Sequence, residues 1–237
     1  MNLFKKIFPF ISILILIIYL AFFSTKRNLA RKIESLNITF NNERSNFLND
    51  NIIIKEFNLN DIIKKKNEKN KISLDSIESL IEGNDYVNEA NLYFTFDSKL
   101  NIEINENIPL LEVQSNQKYY LDKNGKSFPI LKKNLFELPV VRGEINKDSF
   151  AEIIQFYQTI SKSDFLKNEI VEIFYYPNDY KIKLKSYDFI VEWGQNKRFN
   201  SKLNKLLVFC NYLNNVKKQS FYKNVNLKFK NQVVTTS

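Results

Sequence analysis

Side-chain catalysis needs nucleophiles, proton carriers or metal ligands, and this chain holds few of them. Among its 237 residues there is no histidine, and Cys210 is the single cysteine. No serine or cysteine can therefore be paired with an imidazole base, and no metal can be held by histidine. A lone cysteine excludes an internal disulfide and a Cys-only zinc site. Carboxylate, lysine and tyrosine chemistry remains. Glu103 and Glu106 are candidates for the acid and base of a sugar hydrolase, but they fall at the side and boundary of an alternating strand, with no aromatic cleft around them. Cys210 lies on the apolar face of a helix, which suits an inert buried thiol. Trp193 sits at core spacing rather than as a sugar-stacking platform. From these residues alone, carboxylate, lysine or tyrosine chemistry, or no chemistry at all, stays open.

The formal net charge is +9, with 44% apolar and 26% charged residues and only 4 Gly and 5 Pro. Such a composition suits one large or two small domains with a real core and excludes collagen-like and low-complexity chains. The lysines are scattered among acids, with no arginine-rich stripe and no recognition-helix pattern. No nucleic-acid partner is expected.

The elements that must position any site begin with an anchor. Residues 7–23 carry no charge and are mostly Ile, Leu and Phe; as a helix they span about 26 Å, close to the hydrocarbon thickness of a bilayer. Lys5 and Lys6 precede them, and Lys26, Arg27, Arg31 and Lys32 follow. Pro9 is placed in the first turn, where a missing N–H costs little. The run ends in Ala21-Phe22-Phe23-Ser24-Thr25, whose bulky residues occupy the positions where a cleaved leader has small ones. An uncleaved single-pass anchor is predicted. The flanking charges balance, so orientation rests on the short leader before a long hydrophilic region: residues 1–6 inside, the remainder exported. Residues 24–37 read as a linker.

Residues 38–108 read as one unit of β-α-α-β-β order. A short strand at Ile38-Thr39-Phe40 precedes a helix capped at Asn49 or Asp50. The polar run Lys64–Lys71 reads as a solvated loop, or alternatively as a contact for anionic lipid headgroups. Ser73 caps a helix with Leu74, Ile77, Leu80 and Ile81 on one face, stopped at Gly83. Two alternating strands follow, with Ala90, Leu92, Phe94 and Phe96 on one face of the first and Leu100, Ile102 and Ile104 on one face of the second, joined at Asp97-Ser98-Lys99. Pro109 marks a boundary. Residues 109–237 read as a mixed β-rich domain with two helices, one capped by Asp148 and one carrying Leu203, Leu206, Leu207, Cys210 and Leu213 in register. The hairpin around Pro177-Asn178-Asp179, a strand at 189–193 and a last strand at 225–229 complete it. The fold class is α+β behind one transmembrane helix.

Several of these strings have a family likeness. Asp85-Tyr86-Val87-Asn88-Glu89-Ala90-Asn91-Leu92, then Leu100-Asn101-Ile102-Glu103-Ile104-Asn105-Glu106 and Pro109, resembles the end of a POTRA domain in the bacterial cell-division family FtsQ (DivIB). Tyr120-Leu121-Asp122, Gly125 and Phe128 resemble the family's "Y-L-D-x-x-G-x-x-F", and Leu138-Pro139-Val140-Val141-Arg142-Gly143 resembles its "L-P-x-L-x-G". Trp193-Gly194, Lys202-Leu203 with Leu206, and Val225-Asn226-Leu227-Lys228-Phe229 resemble its closing motifs. Asn107, Asp97, Asn226 and Phe229 depart from the residues usual there.

The resemblance implies a non-enzymatic scaffold of the divisome in the inner membrane. Such a protein has a POTRA-like domain (38–108) and a β domain (109–237), without cofactors, and helps control septal peptidoglycan synthesis. Its implied partners are FtsB- and FtsL-like bitopic proteins and other divisome components. The implied partner contact is strand addition to the last strand, which here means Asn224, Val225, Asn226, Leu227, Lys228, Phe229 and Lys230. A terminal edge strand leaves backbone groups unpaired and suits β-augmentation. Alternation places Lys228 and Lys230 on one face beside Asn226, and Leu227 and Phe229 toward the core. The alternatives are a membrane-anchored periplasmic cell-wall enzyme, or a POTRA-bearing assembly or secretion factor.

Overall fold

The computed structural model describes residues 2–41, 47–65, 68–130, 136–216 and 221–236. The chain divides into two compact units between Asn107 and Ile108.

The first unit opens with helix α1, Asn2–Leu29. Its segment Phe10–Leu29 has a mean hydropathy of 1.8, has no buried residue and is long and apolar enough to cross a membrane. The helix is longer than the apolar run alone predicts. Pro9 therefore lies inside it rather than in the first turn, and removes one donor from the helical ladder. Residues 24–29, expected as linker, are helical: Lys26 and Arg27 sit at the negative end of the helix dipole, and Thr25 Oγ1 donates back to Ala21 O at 2.8 Å.

Strand β1, Ser35–Phe40, follows after a five-residue connection. Three helices come next, α2 (Asp50–Glu56), α3 (Leu59–Lys65) and α4 (Leu74–Glu82). Two helices are predicted in this region and the third arises because Asn58 takes a left-handed turn, φ 49°. Asn49 and Ser73 cap α2 and α4, accepting from Ile52 N at 3.0 Å and Ser76 N at 3.4 Å. Ile53, Leu59, Ile77 and Ile81 are buried, whereas Leu80 turns outward. Strands β2 (Val87–Phe94) and β3 (Lys99–Glu106) form an antiparallel hairpin, and β1 pairs parallel with β3, Ser35 opposite Lys99 through Phe40 opposite Ile104. The order is β1-β3-β2. Leu100, Ile102 and Ile104 of the central strand are completely buried. The free edge of β2 is covered by α4, whose Glu82 and Glu78 accept from Ala90 N (3.1 Å) and Leu92 N (2.6 Å). Phe96, predicted to continue the apolar face, instead lies beyond the strand in the hairpin turn and is 94% exposed.

Among the described residues the second unit is one sheet of nine strands with three α-helices. Its strands are β4 (Pro109–Gln114), β5 (Lys118–Asp122), β6 (Ser127–Pro129), β7 (Val140–Gly143), β8 (Ile170–Tyr176), β9 (Asp179–Leu184), β10 (Ile190–Gly194), β11 (Asn224–Asn226) and β12 (Val234–Thr236). The spatial order is β12-β11-β10-β9-β8-β7-β4-β5-β6. Helices α5 (Phe150–Ile160) and α6 (Asp164–Glu169) link the parallel pair β7 and β8; α7 (Phe199–Val216) links the parallel pair β10 and β11. Parallel neighbours need long crossovers, which is where the helices lie. Pro109 does more than break a pattern: it starts β4, a position a strand tolerates. The cap before α5 is Asn146 rather than Asp148: its side chain accepts from Ser149 N at 2.9 Å, while Ser149 Oγ accepts from Asn146 N.

The second core is aromatic. Phe156 of α5 stacks on Tyr180 with ring centroids 3.7 Å apart, and Trp193 packs edge-on against Phe156. Glu152 stitches α5 to the sheet by accepting from the hydroxyls of Tyr175 (2.8 Å) and Tyr180 (2.9 Å). Gly143 is required by space as well as conformation: its φ is +122°, and a Cβ would strike the Tyr175 carbonyl on the neighbouring strand. At Gly125, φ +86°, a Cβ would meet only the Ile154 side chain, at an ordinary contact distance of 4.0 Å. Gly143→Ala should therefore destabilise the second unit by about 3 kcal/mol and Gly125→Ala by only about 1 kcal/mol. Urea unfolding of the detergent-solubilised protein, followed by Trp193 fluorescence, measures both; equal losses would contradict the collision at Gly143.

Candidate partner-docking edge

The run Asn224–Lys230 does not form the unpaired rim that its alternation predicts. Only Asn224, Val225 and Asn226 are strand, and they lie inside the sheet. On one side β10 pairs in parallel, with Ile190, Val191 and Glu192 opposite these three residues; on the other β12 pairs antiparallel, with Thr236, Thr235 and Val234 opposite them. Val225 is fully buried. The chain leaves the ladder after Asn226 and returns as β12, a strand the sequence reading did not contain.

Residues 227–230 are held by side chains. Leu227 N donates to Glu192 O at 3.0 Å and its side chain is buried. Lys205 Nζ then donates to Leu227 O (3.1 Å) and Phe229 O (2.6 Å), and Arg198 Nη2 donates to Lys228 O (2.7 Å). Lys228 N donates to Asn226 Oδ1 at 2.9 Å, and Asn226 Nδ2 to Glu192 Oε2 at 2.6 Å. Lys228 does not stand free: its stem crosses Gly194, where a Cβ would come within 2.9 Å of Lys228 Cγ, and Nζ meets Asp179 Oδ2 at 2.8 Å. Phe229 is 48% exposed rather than core, and Lys230 is exposed. The predicted alternation fails here because alternation belongs to strands, and this segment is a turn clamped from α7.

Lys202 and Lys205 stand on α7, and Arg198, at φ 55°, is the residue just before it; the three cations follow an i, i+4, i+7 spacing. That signal was available in the sequence. Lys202 is buried; Nζ donates to Gln195 O at 2.6 Å and stands 5.5 Å from the centre of the Trp193 ring. Burial, and then the neighbouring Arg198 and Lys205 charges, push its ammonium down to about 8. One margin of this sheet is β12. Its outer side has no strand partner among the described residues, and Val234 and Thr236 are exposed. The opposite margin of the sheet is β6, which ends in Pro129.

The remaining candidates do not converge. Glu103 accepts from Tyr93 OH at 2.7 Å, while Glu106 is buried and accepts from Leu48 N at 2.7 Å. Three residues apart on one strand, they face opposite sides of the sheet. Cys210 is buried, and burial pushes its thiol up to about 11. Among the described residues no group of three or more metal-ligating side chains comes together.

Lys202 sets a pH dependence. Its folded value lies below the ordinary 10.5, so between about pH 8 and 10.5 the unfolded chain binds more protons than the folded one. The penalty of burying this charge is present below that window and is relieved as pH rises through it. Relative to Lys202→Met, the wild type should gain on the order of 1–2 kcal/mol between pH 7 and pH 10. Parallel stability curves for the two proteins would refute this.

The motif residues themselves are structural. Asp122 accepts from Asn124 N (2.8 Å) and Lys126 N (2.7 Å) around Gly125, and the Tyr120 and Phe128 rings lie 5.6 Å apart across the β5–β6 hairpin. A comparison with curated proteins finds no match. The family model described as "FtsQ/DivIB, C-terminal related" matches residues 108–236, the whole described extent of the second unit. That family is one of non-enzymatic, membrane-anchored scaffolds associated with the divisome. The chain belongs to the FtsQ/DivIB C-terminal related family.

Proposed function

We propose that the protein is a non-enzymatic scaffold of the division machinery that captures FtsB- and FtsL-like bitopic partners and so helps control septal peptidoglycan synthesis. The observation that carries this reading is the family match over 108–236, combined with a sheet whose C-terminal margin is the short strand β12. In this reading α1 crosses the cytoplasmic membrane once, residues 1–6 stay in the cytoplasm and the chain beyond α1 works in the periplasm at the septum. The β1-β3-β2 sheet with its intervening helices supports assigning residues 38–108 to a POTRA-like domain.

The docking step follows from unpaired backbone. An incoming partner strand bonds along the outer side of β12, and its alternate side chains meet Val234 and Thr236. Asn224–Lys230 act one layer behind. Val225 and Leu227 anchor the ribbon in the core, and the Arg198 and Lys205 clamp fixes the turn that returns the chain to β12. Lys228 serves this turn through Asp179 rather than reaching a partner.

Capture of soluble FtsB- and FtsL-like segments by the full-length protein in detergent tests the reading. Removal of Val234–Thr236 should weaken capture by more than about tenfold, because the edge backbone is lost. Lys228→Ala should change it by less than about threefold, since its ion pair is half-exposed. Equal capture by trimmed and intact protein, both retaining the Trp193 fluorescence of the folded state, would overturn docking at β12.

A further inference from the structure

The junction between α1 and the first unit is not a loose tether. Lys69 is buried, contrary to its expected place in a solvated loop, and Nζ donates to Asn28 Oδ1 (3.2 Å) near the end of α1 and to Thr95 O (3.1 Å) at the start of the β2–β3 turn. Lys69 N donates to Arg31 O (3.2 Å), Glu34 N to Ser98 O (3.0 Å), and Arg31 Nη1 to Phe96 O (3.4 Å). Residues 28–34 and the turn 95–98 are thus tied at several points, with Ile33 buried between them. The apex of that turn is Phe96, 94% exposed.

A helix rises about 1.5 Å per residue, and the headgroup layer extends several Å beyond the hydrocarbon. Lys69 ties Thr95 O to Asn28, which is five residues past the end of the apolar run at Phe23, so the turn is held about 7.5 Å beyond the hydrocarbon, within reach of the headgroup layer, when α1 spans. Lys26, Arg27, Arg31 and Lys32 surround this level. Glu34, Asp97 and Glu68 are the acids beside them: Lys99 pairs with Asp97 at 2.7 Å, and Glu68, which lies opposite Lys32 in an isolated backbone bridge, pairs with Lys71 at 2.8 Å. Lys26 Nζ rests 4.6 Å from the centre of the Phe22 ring, folded back along the end of the apolar run. An exposed apolar ring on a turn bonded to Arg31, with further cations on the adjoining end of α1, suits a surface that lies in a bilayer interface.

We propose that the β2–β3 turn docks into the headgroup layer of the bilayer that α1 crosses, with the Phe96 ring at the acyl boundary and Arg31 and Lys32 on lipid phosphates. This rests on α1 being a membrane span. It makes the first unit a body set at fixed height on the membrane.

Single cysteines at Ile15, Phe96 and Asn88, each carrying an environment-sensitive fluorophore, test it in the full-length protein. Asn88 is exposed near the far end of β2, more than about 20 Å from the turn. Cys210 is buried and stays unlabelled in the folded protein. Vesicles contain three parts phosphatidylethanolamine to one part phosphatidylglycerol. The Phe96 label should be quenched by lipids spin-labelled near the headgroup and shielded from iodide by about threefold or more relative to Asn88. A Phe96 label as open to iodide as Asn88, with the Ile15 label buried in lipid, overturns the docking while leaving the span intact. An Ile15 label in water overturns the span, and the docking with it.

Discussion

Backbone groups at the margin of a sheet must find partners, and most of this protein's distinctive chemistry answers that requirement. The outer side of β2 is met by Glu78 and Glu82, two carboxylates one helical turn apart whose oxygens accept from Leu92 and Ala90. The outer side of β11 is met by β12. Where the chain leaves the ladder at Leu227, the carbonyls of three successive residues are met by Arg198 and Lys205. Each device blunts a place where another chain could add a strand. Among the described residues the outer sides of β12, β6 and β1 have no strand partner.

Buried lysines do the joining. An ammonium taken out of water needs acceptors. Lys69 has two oxygens and the face of Phe94 at 5.5 Å; Lys202 has Gln195 O and the Trp193 ring. Each holds two segments that no continuous strand or helix connects: the end of α1 to a hairpin turn, and α7 to the bend after β10. The high lysine content therefore has an architectural use, and net charge alone is a poor guide to partners in such a chain.

The residues that reveal the family and those that would meet a partner are different sets. Gly143 is needed because the Tyr175 backbone passes where a side chain would sit, and Asp122 because two amides of a tight turn point at it. Lys202 belongs with Trp193. These are packing constraints, which is why short motifs in fixed order report a fold. A strand margin recruits partners through main-chain groups, which any sequence supplies, so its side chains carry little signature.

Local pattern alone determined much. The apolar run of the anchor, the alternation at Leu100, Ile102 and Ile104, the caps at Asn49 and Ser73, and the turn at Asn124-Gly125 all follow from periodicity and short-range hydrogen bonding. The errors share a different origin. Phe96 continued an alternation that the chain had already left. Lys69 sat in a charged run whose tertiary partners lie up to about forty residues away. Asn224–Lys230 read as an edge because nothing local announces that residues 234–236 come back to pair beside it. Which strand lies at a margin depends on contacts between segments distant in sequence, and only the folded chain decides it.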